Sequence, residues 1–128
     1  MSAASMLGYT DRTVYVYDEG LNVDGELSLD PPTPVTYPCR VQAKTDGLEQ
    51  YQAYSNERRL RIDGAIVIKG DTPLAAESLD GLTPASVIDF RGKFYRVVSS
   101  DDNRHTVLPH CLAVALLDPH FTAPEPTP

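Results

Sequence analysis

Residues 83–99 constrain the fold more than any other part of this chain. Two short runs rich in β-branched and aromatic residues flank Arg91-Gly92, and a glycine at such a position favours a tight turn. Alternate positions on either side of the turn are hydrophobic: Ile88, Phe90, Tyr95 and Val97. A period of two is typical of strands with one buried face. The sequence therefore predicts a β-hairpin that contributes its apolar face to the core of an all-β domain.

Strand patterns recur on both sides of this hairpin. Residues 12–18, 37–44 and 105–117 are rich in β-branched or aromatic residues, although Pro109 interrupts the last of these runs. In residues 58–69, Asp63-Gly64 predicts either the turn of a second hairpin or a glycine bulge in one long bent strand. Together the patterns predict a small antiparallel β-barrel or sandwich of about six strands, with long loops and little helix.

The chain of 128 residues is long enough for one domain with a single core. We assign residues 12–117 to a β-barrel domain, residues 1–11 to an N-terminal segment and residues 118–128 to a proline-rich C-terminal tail. Residues 19–36, called the arm below, are acidic and rich in proline, which lacks the backbone donor that a sheet requires. The arm is either a solvated surface loop or a segment that docks on a neighbouring molecule, because long loops in compact domains usually have a function.

The formal net charge is −7, and acidic residues dominate residues 1–30. This balance argues against sequence-specific binding to nucleic acid, because neutralising phosphates requires a broad positive surface. No apolar run approaches the roughly 20 residues that span a bilayer. The start of the chain also lacks the basic and apolar regions of a signal peptide. We therefore expect a cytoplasmic protein that does not bind a membrane.

The sequence contains no motif that predicts catalysis or metal binding. Cys39 and Cys111 do not form a C-x-x-C pair, and the adjacent His110 and Cys111 point to opposite faces of a strand. Both cysteines are expected to be buried free thiols, with a disulfide allowed only if their strands pair. Phosphate-binding loops and nucleophile elbows are absent. We predict that the protein is not an enzyme and has no cofactor or metal.

Candidate residues for a subunit interface come from the strands and from the arm. If residues 58–62 form a strand, Arg59 and Arg61 share a face, which is either a solvated surface or an interface stripe, where arginine is enriched. Tyr15 and Tyr17 share one face of the first strand. The full set of candidate interface residues is Arg58, Arg59, Arg61, Tyr15, Tyr17, Pro31, Pro32 and Pro34.

The order of these features follows a pattern that extends over most of residues 10–117. A strand of the type Arg-Thr-Val-Tyr-Val-Tyr leads through an irregular loop to a strand ending at Gly70-Asp71, then to the hairpin and to a strand with His110. In the hairpin, Asp89 precedes the Gly92 turn, and Phe94-Tyr95 and Val97 follow it. The chain resembles the small head-tail connector proteins of long-tailed bacteriophages, a group of head-closure (stopper), head-tail adaptor and neck proteins. The arm and the tail are additions to that common pattern.

The resemblance implies a small β-barrel with a projecting loop that assembles as a homo-oligomeric ring, twelvefold or sixfold, in the phage neck. Such a ring lies between the portal or adaptor protein and the tail terminator or tail tube protein, and it retains packaged DNA. The DNA passes through the lumen without sequence-specific binding. The expected location is the virion, with assembly in the host cytoplasm. We hypothesise that the arm or residues 71–82 contact a neighbour or the lumen. Deleting residues 20–34 should then leave a folded monomer that no longer attaches to heads.

Two alternatives remain open at this point. The first is a tail terminator or tail completion protein of the same machine, for which a clear amphipathic helix on the sheet is more typical; the sequence predicts none. The second belongs to another class, a non-viral β-barrel interaction module, and gene neighbourhood would discriminate between it and a phage protein.

Overall fold

The computed structural model describes residues 9–17, 32–76, 84–103 and 110–123. Their elements, in chain order, are β1 (Thr10–Val16), β2 (Thr33–Ala43), a 3₁₀ turn (Glu49–Tyr51), α1 (Gln52–Arg58), β3 (Arg61–Gly70), β4 (Val87–Phe90), β5 (Lys93–Asp102) and β6 (Cys111–Leu117). Neighbouring strands are antiparallel, and they close into a barrel in the order β1-β2-β3-β6-β5-β4. The predicted all-β class with little helix is confirmed.

The hairpin predicted in residues 83–99 is formed by β4 and β5. Arg91 and Gly92 have φ values of 54° and 79°, the left-handed pair that a tight two-residue hairpin turn requires. Beyond the turn, Ile88 pairs with Tyr95, and both side chains point to the inside of the barrel. The alternation read from the sequence holds as far as Val97, after which a register shift before Ser99 interrupts the pairing of β5 with β6.

An inner core fills the barrel. Its buried members are Val14, Tyr37, Cys39, Ile66, Ile68, Leu74, Ile88, Val97, Ala113 and Ala115. Small inward residues on β6 suit a narrow barrel, in which side chains must fill the whole interior. At one end the Tyr37 ring covers Gly70 so closely that a Cβ there would lie 2.2 Å from its Oη. The Tyr37 hydroxyl donates a hydrogen bond to the carbonyl of Thr72.

A second cluster lies on the outside of the barrel, beneath α1. Leu60, Ala65 and Leu116 are buried there, with Tyr51 and Tyr54 packed against them. From the sequence alone, residues 45–55 are either one or two helical turns capped by Asp46 or an irregular connection. The helix forms, but no side chain caps α1 or the 3₁₀ turn. Burial against β3 and β6 therefore stabilises α1, as is usual for so short a helix.

Two strands differ from the sequence prediction in length. β3 is continuous through Asp63-Gly64, with irregular pairing to β6 between Arg61 and Ile66, so the bulge alternative is confirmed and the second hairpin is wrong. β2 begins at Thr33, within the predicted arm. Residues 33–38 pair with β1, and β3 pairs with β2 from Cys39 onward. Prolines are tolerated in this part of β2, because the described residues give it one neighbour only.

The two cysteines are buried free thiols, as predicted. Cys39 and Cys111 pair with Gly70 from its two sides, so that β3 lies between their strands. Two strand spacings amount to roughly 10 Å, which exceeds the Cα separation that a disulfide spans. Their strands do not pair in the described residues, so the condition for a disulfide is not met.

Candidate functional site

Several candidate interface residues meet at one groove on the side of the barrel, called the lateral groove below. Tyr17 and Pro32, which follow β1 and precede β2, line it together with Tyr54 and Arg58 of α1. The groove has a volume of about 820 Å³. Its other lining residues are Pro84, Ala85, Arg96, Asp118, His120, Phe121, Thr122 and Ala123.

A buried ion pair holds one wall of the lateral groove. Arg96 Nε donates to Asp118 Oδ2 at 2.9 Å, and Arg96 Nη1 donates to the carbonyl of Ala85 at 3.3 Å. The other carboxylate oxygen of Asp118 accepts the backbone N–H of His120 at 3.0 Å. The side chains of Arg96 and Asp118 are 19% and 7% exposed. The pair therefore fixes the chain after β6 against β5 and the approach to β4.

An aromatic cluster continues this wall. The ring of Phe121 lies 5.4 Å from that of Tyr15 and 5.0 Å from that of Phe94, between ring centroids. Such tilted contacts bury apolar area and add a favourable term of about 0.5–1.5 kcal/mol each. The first residues of the predicted tail thus pack on the outer face of β1 and β5, while residues 124–128 lie outside the described ranges.

The tyrosines and prolines of the candidate set lie at one end of the β1–β2 ribbon. Tyr15 pairs with Pro34 across the two strands, and Tyr15 also serves the aromatic cluster. Next to Pro34, Val35 is the large hydrophobic side chain that is most exposed among the described residues, at 41%. Pro31 lies outside the described residues. Residues 33–36, which the sequence assigned to a loop, belong to β2, and the interface role of Tyr15 and Pro34 stays a prediction.

The strand face that the sequence predicted Arg59 and Arg61 to share does not form, and a role of these arginines at an interface stays a prediction. Arg58 ends α1, with its guanidinium carbon 5.5 Å from the centroid of the Tyr54 ring. Arg59 follows with a left-handed φ of 58° and ends the helix. Arg61 belongs to β3 and pairs with the exposed Asp63 at 3.0 Å. The three side chains cannot form one strand face, because the chain changes from helix to strand between them.

Sequence reasoning missed the ion pair that holds one wall of the lateral groove. Arg96 and Asp118 are separated by 22 positions and meet because β5 and β6 are neighbours, with Arg96 opposite Leu116. One signal was available, an arginine on the outer face of the hairpin opposite Val87. A second was Phe121, an isolated aromatic residue at the start of a proline-rich tail.

Burial raises the pKa values of two core side chains, Cys39 and Tyr37, so both keep their protons near neutral pH. Burial raises the pKa of the Cys39 thiol from 9.0 to about 11, although the nearby Arg12 opposes this shift. Burial likewise raises the pKa of Tyr37 well above its usual value. A protonated, buried thiol is a poor nucleophile. Within the described ranges, no three His, Cys, Asp or Glu side chains converge on a metal position. The prediction of no enzyme activity stays a prediction.

The described part of the chain contains no helix with the length and apolar character needed to cross a bilayer.

Comparison with known proteins finds no protein-family model that matches this sequence, and no curated protein that matches it significantly. The assignment of function therefore depends on the residues and on the geometry described above.

Proposed function

We propose that this protein is a structural subunit of a phage neck ring, which joins the head to the tail and helps to retain packaged DNA. The observation that carries the proposal is the convergence of Tyr17, Pro32 and Arg58 on the lateral groove at the base of the arm. A rigid small barrel with a contact surface beside a long acidic segment agrees with the connector proteins that the sequence resembles.

The edge of β2 favours contact through side chains over strand addition. Residues 33–38 leave one edge without a strand neighbour among the described residues. Pro34 and Pro38 lie in this segment and lack the backbone donors that an added strand would use. A neighbouring subunit would instead contact exposed side chains such as Val35 and the aromatic and proline residues of the lateral groove.

The charge of the chain supports the same function. A formal net charge of −7, repeated around a ring, gives a lumen that repels phosphates, so that DNA passes without adhering.

A tail terminator or tail completion protein is the second candidate, and α1 favours it. The sequence predicted no amphipathic helix on the sheet, but α1 buries Ser55 and covers the cluster around Leu60 and Leu116. The helix is seven residues long, which makes it a small feature beside the barrel. We therefore rank this function below that of the head-to-tail connector.

The experiment is a complementation test with the phage genome that encodes this chain. Without its gene, we expect DNA-containing heads that do not join tails, and purified protein should restore joining. If heads are complete and the tails are defective, the terminator function is supported instead. Failure of the purified protein to bind heads or tails, with the gene dispensable for infection, would overturn both functions.

A shortened chain makes the test specific to the arm. The deletion must end before Thr33, because Thr33 and Pro34 pair with Val16 and Tyr15 in the barrel. Replacing residues 20–30 by a short Gly-Ser linker should leave the circular dichroism spectrum unchanged and abolish the joining of heads to tails. Full joining by this folded variant would contradict a role for the arm in assembly.

A further inference from the structure

A cavity opens at the end of the barrel beside the β4–β5 turn, away from the lateral groove. It has a volume of about 430 Å³ and is walled by inward side chains such as Val41, Ile66 and Tyr95. Its rim is basic. Lys44, Arg91 and Lys93 line the cavity, and Arg12 lies over the ring of Phe90, which also lines it. We call these four cations the basic mouth.

Two cations of the basic mouth, Arg12 and Arg91, lie over one aromatic ring. The guanidinium carbons of Arg12 and Arg91 lie 4.5 Å and 5.0 Å from the centroid of the Phe90 ring, which lines the cavity. Arg12 Nε is buried and has no hydrogen-bond acceptor among the described residues. A buried donor without an acceptor is costly, and the positive charge of Arg12 has no hydrogen-bonding partner at this atom.

Few carboxylates of the described chain offset these charges. Asp63 lines the cavity, but it is held by Arg61. Lys44 has a long contact of 3.9 Å with Asp46, whose side chain is 97% exposed. In the described ranges, none of Arg12, Arg91 and Lys93 forms an ion pair. The result is a basic site on a chain of net charge −7.

Arg91 occupies its position at a conformational cost. Its φ of 54° is the left-handed region, which glycine and asparagine adopt more readily than arginine. The two-residue turn imposes this φ, and an arginine where glycine or asparagine fits better motivates the hypothesis that its side chain has a role there. At this turn the role consistent with the geometry is to place a positive charge on the Phe90 ring at the mouth.

The same chain carries an acidic segment at the opposite end of the β1–β2 ribbon. Residues 18–31 contain no Lys or Arg and five acidic residues: Asp18, Glu19, Asp24, Glu26 and Asp30. The segment is attached at Val16 and Thr33, whereas the mouth lies beyond the other end of the ribbon, near Ala43. A contact between opposite ends of identical copies is heterologous, and it propagates from copy to copy, giving a ring where the rotation between copies closes.

We propose that the basic mouth binds carboxylates of residues 18–31 of a second copy of this chain. The proposal rests on the ring proposed above and names the contact that would hold neighbouring subunits together. It differs from the lateral groove, which lies at the base of the arm on the subunit that donates the segment.

A charge exchange tests the pairing. In sedimentation measurements on the full chain, Arg91→Glu with Lys93→Glu should raise the dissociation constant of self-association at least tenfold. Asp24→Lys with Glu26→Lys should do the same. An equimolar mixture of the two variants should associate again, because the basic segment of one then meets the acidic mouth of the other. Absence of association in the mixture, with both variants folded, would overturn the proposed pairing.

Two further variants control for folding and for net charge. Arg91→Asn relieves the backbone at a positive φ and should weaken association while the thermal midpoint stays equal or rises. Arg40→Glu with Lys69→Glu makes the same change in charge on the outer face, where these residues pair across β2 and β3. This control should associate as the wild type does. Equal weakening by the control would show a general charge effect and overturn the site.

The outcomes separate this inference from the proposed function. If the wild type associates and the mouth variants do so within twofold of it, the mouth is not the acceptor, and the ring stands on another contact. If the wild type is monomeric at every concentration, binding to a second copy is overturned. If that monomer also fails to bind heads and tails, the neck-ring function is overturned with it.

Discussion

Replacing Asp118 with alanine should destabilise the fold far more than the same replacement at Asp63. Each aspartate pairs with an arginine at nearly the same distance between nitrogen and oxygen, 2.9 Å for Arg96–Asp118 and 3.0 Å for Arg61–Asp63. The side chains are 19% and 7% exposed in the first pair, and 60% and 67% exposed in the second. Burial, and not bond geometry, separates the two pairs.

The loss in the free energy of unfolding is set by the buried charge of Arg96, which Asp118→Ala leaves without its carboxylate. Losing one partner of a buried ion pair costs about 3–5 kcal/mol, because the other charge stays buried. Arg96 keeps its bond to the carbonyl of Ala85 and some access to water, so we expect a loss of about 2–3 kcal/mol. That is a large part of the roughly 5–15 kcal/mol that stabilises a typical domain. The Asp63 pair is solvated, so its loss should have no measurable effect.

Urea unfolding followed by far-UV circular dichroism gives the free energy of unfolding for both variants by linear extrapolation. Hydrogen exchange adds a local measurement, because the backbone N–H of His120 donates to Asp118 and should lose protection in Asp118→Ala. Asp118→Asn keeps the size of the side chain and should lie between the wild type and the alanine variant. Equal losses at Asp118 and Asp63, or no loss at Asp118, would refute the role given to burial.

Three further predictions concern the core and the end of the helix. Gly70→Ala would place a Cβ 2.5 Å from Tyr37 Cζ and should lower the free energy of unfolding by about 1–3 kcal/mol; an unchanged urea midpoint would contradict this. Burial raises the pKa of Cys39 from 9.0 to about 11, so its contribution to stability is complete below pH 9 and is lost as the pH rises through 11. Cys39→Ala should therefore flatten the thermal midpoint against pH in that window, and an unchanged slope would argue against it. Arg59→Gly should stabilise the fold by about 1 kcal/mol, because Arg59 ends α1 at a φ of 58°; calorimetry showing a lower midpoint would count against this.

The strands were predictable where their signal is local. The hairpin of β4 and β5 follows from alternation and from Gly92, which are properties of neighbouring residues. The burial of Cys39 and Cys111 follows from the same pattern. These features need no knowledge of which strands meet.

The sequence predictions were wrong or incomplete where tertiary contacts determine the secondary structure or the pairing of side chains. Pro31, Pro32 and Pro34 argued for a loop, but a strand with one neighbour tolerates Pro34, and only the topology shows that β2 is such a strand there. Residues 58–61 were assigned to a strand, because nothing local shows that α1 is stabilised by burial on β3 and β6. The pairing of Arg96 with Asp118 depends on strand order, which no spacing along the chain reveals.

The closure between β1 and β4 has a consequence for how the barrel opens. In the described residues these strands pair at Val14–Ile88 and Tyr15–Val87, while β3 and β6 pair along most of their lengths. The short seam is the place where a local opening disrupts the fewest backbone hydrogen bonds, so β1 and β2 should detach together before the remaining strands unfold. A neighbour that holds this ribbon closes the seam from outside. In the proposed ring, binding to a neighbour and closure of the seam between β1 and β4 would then be a single step.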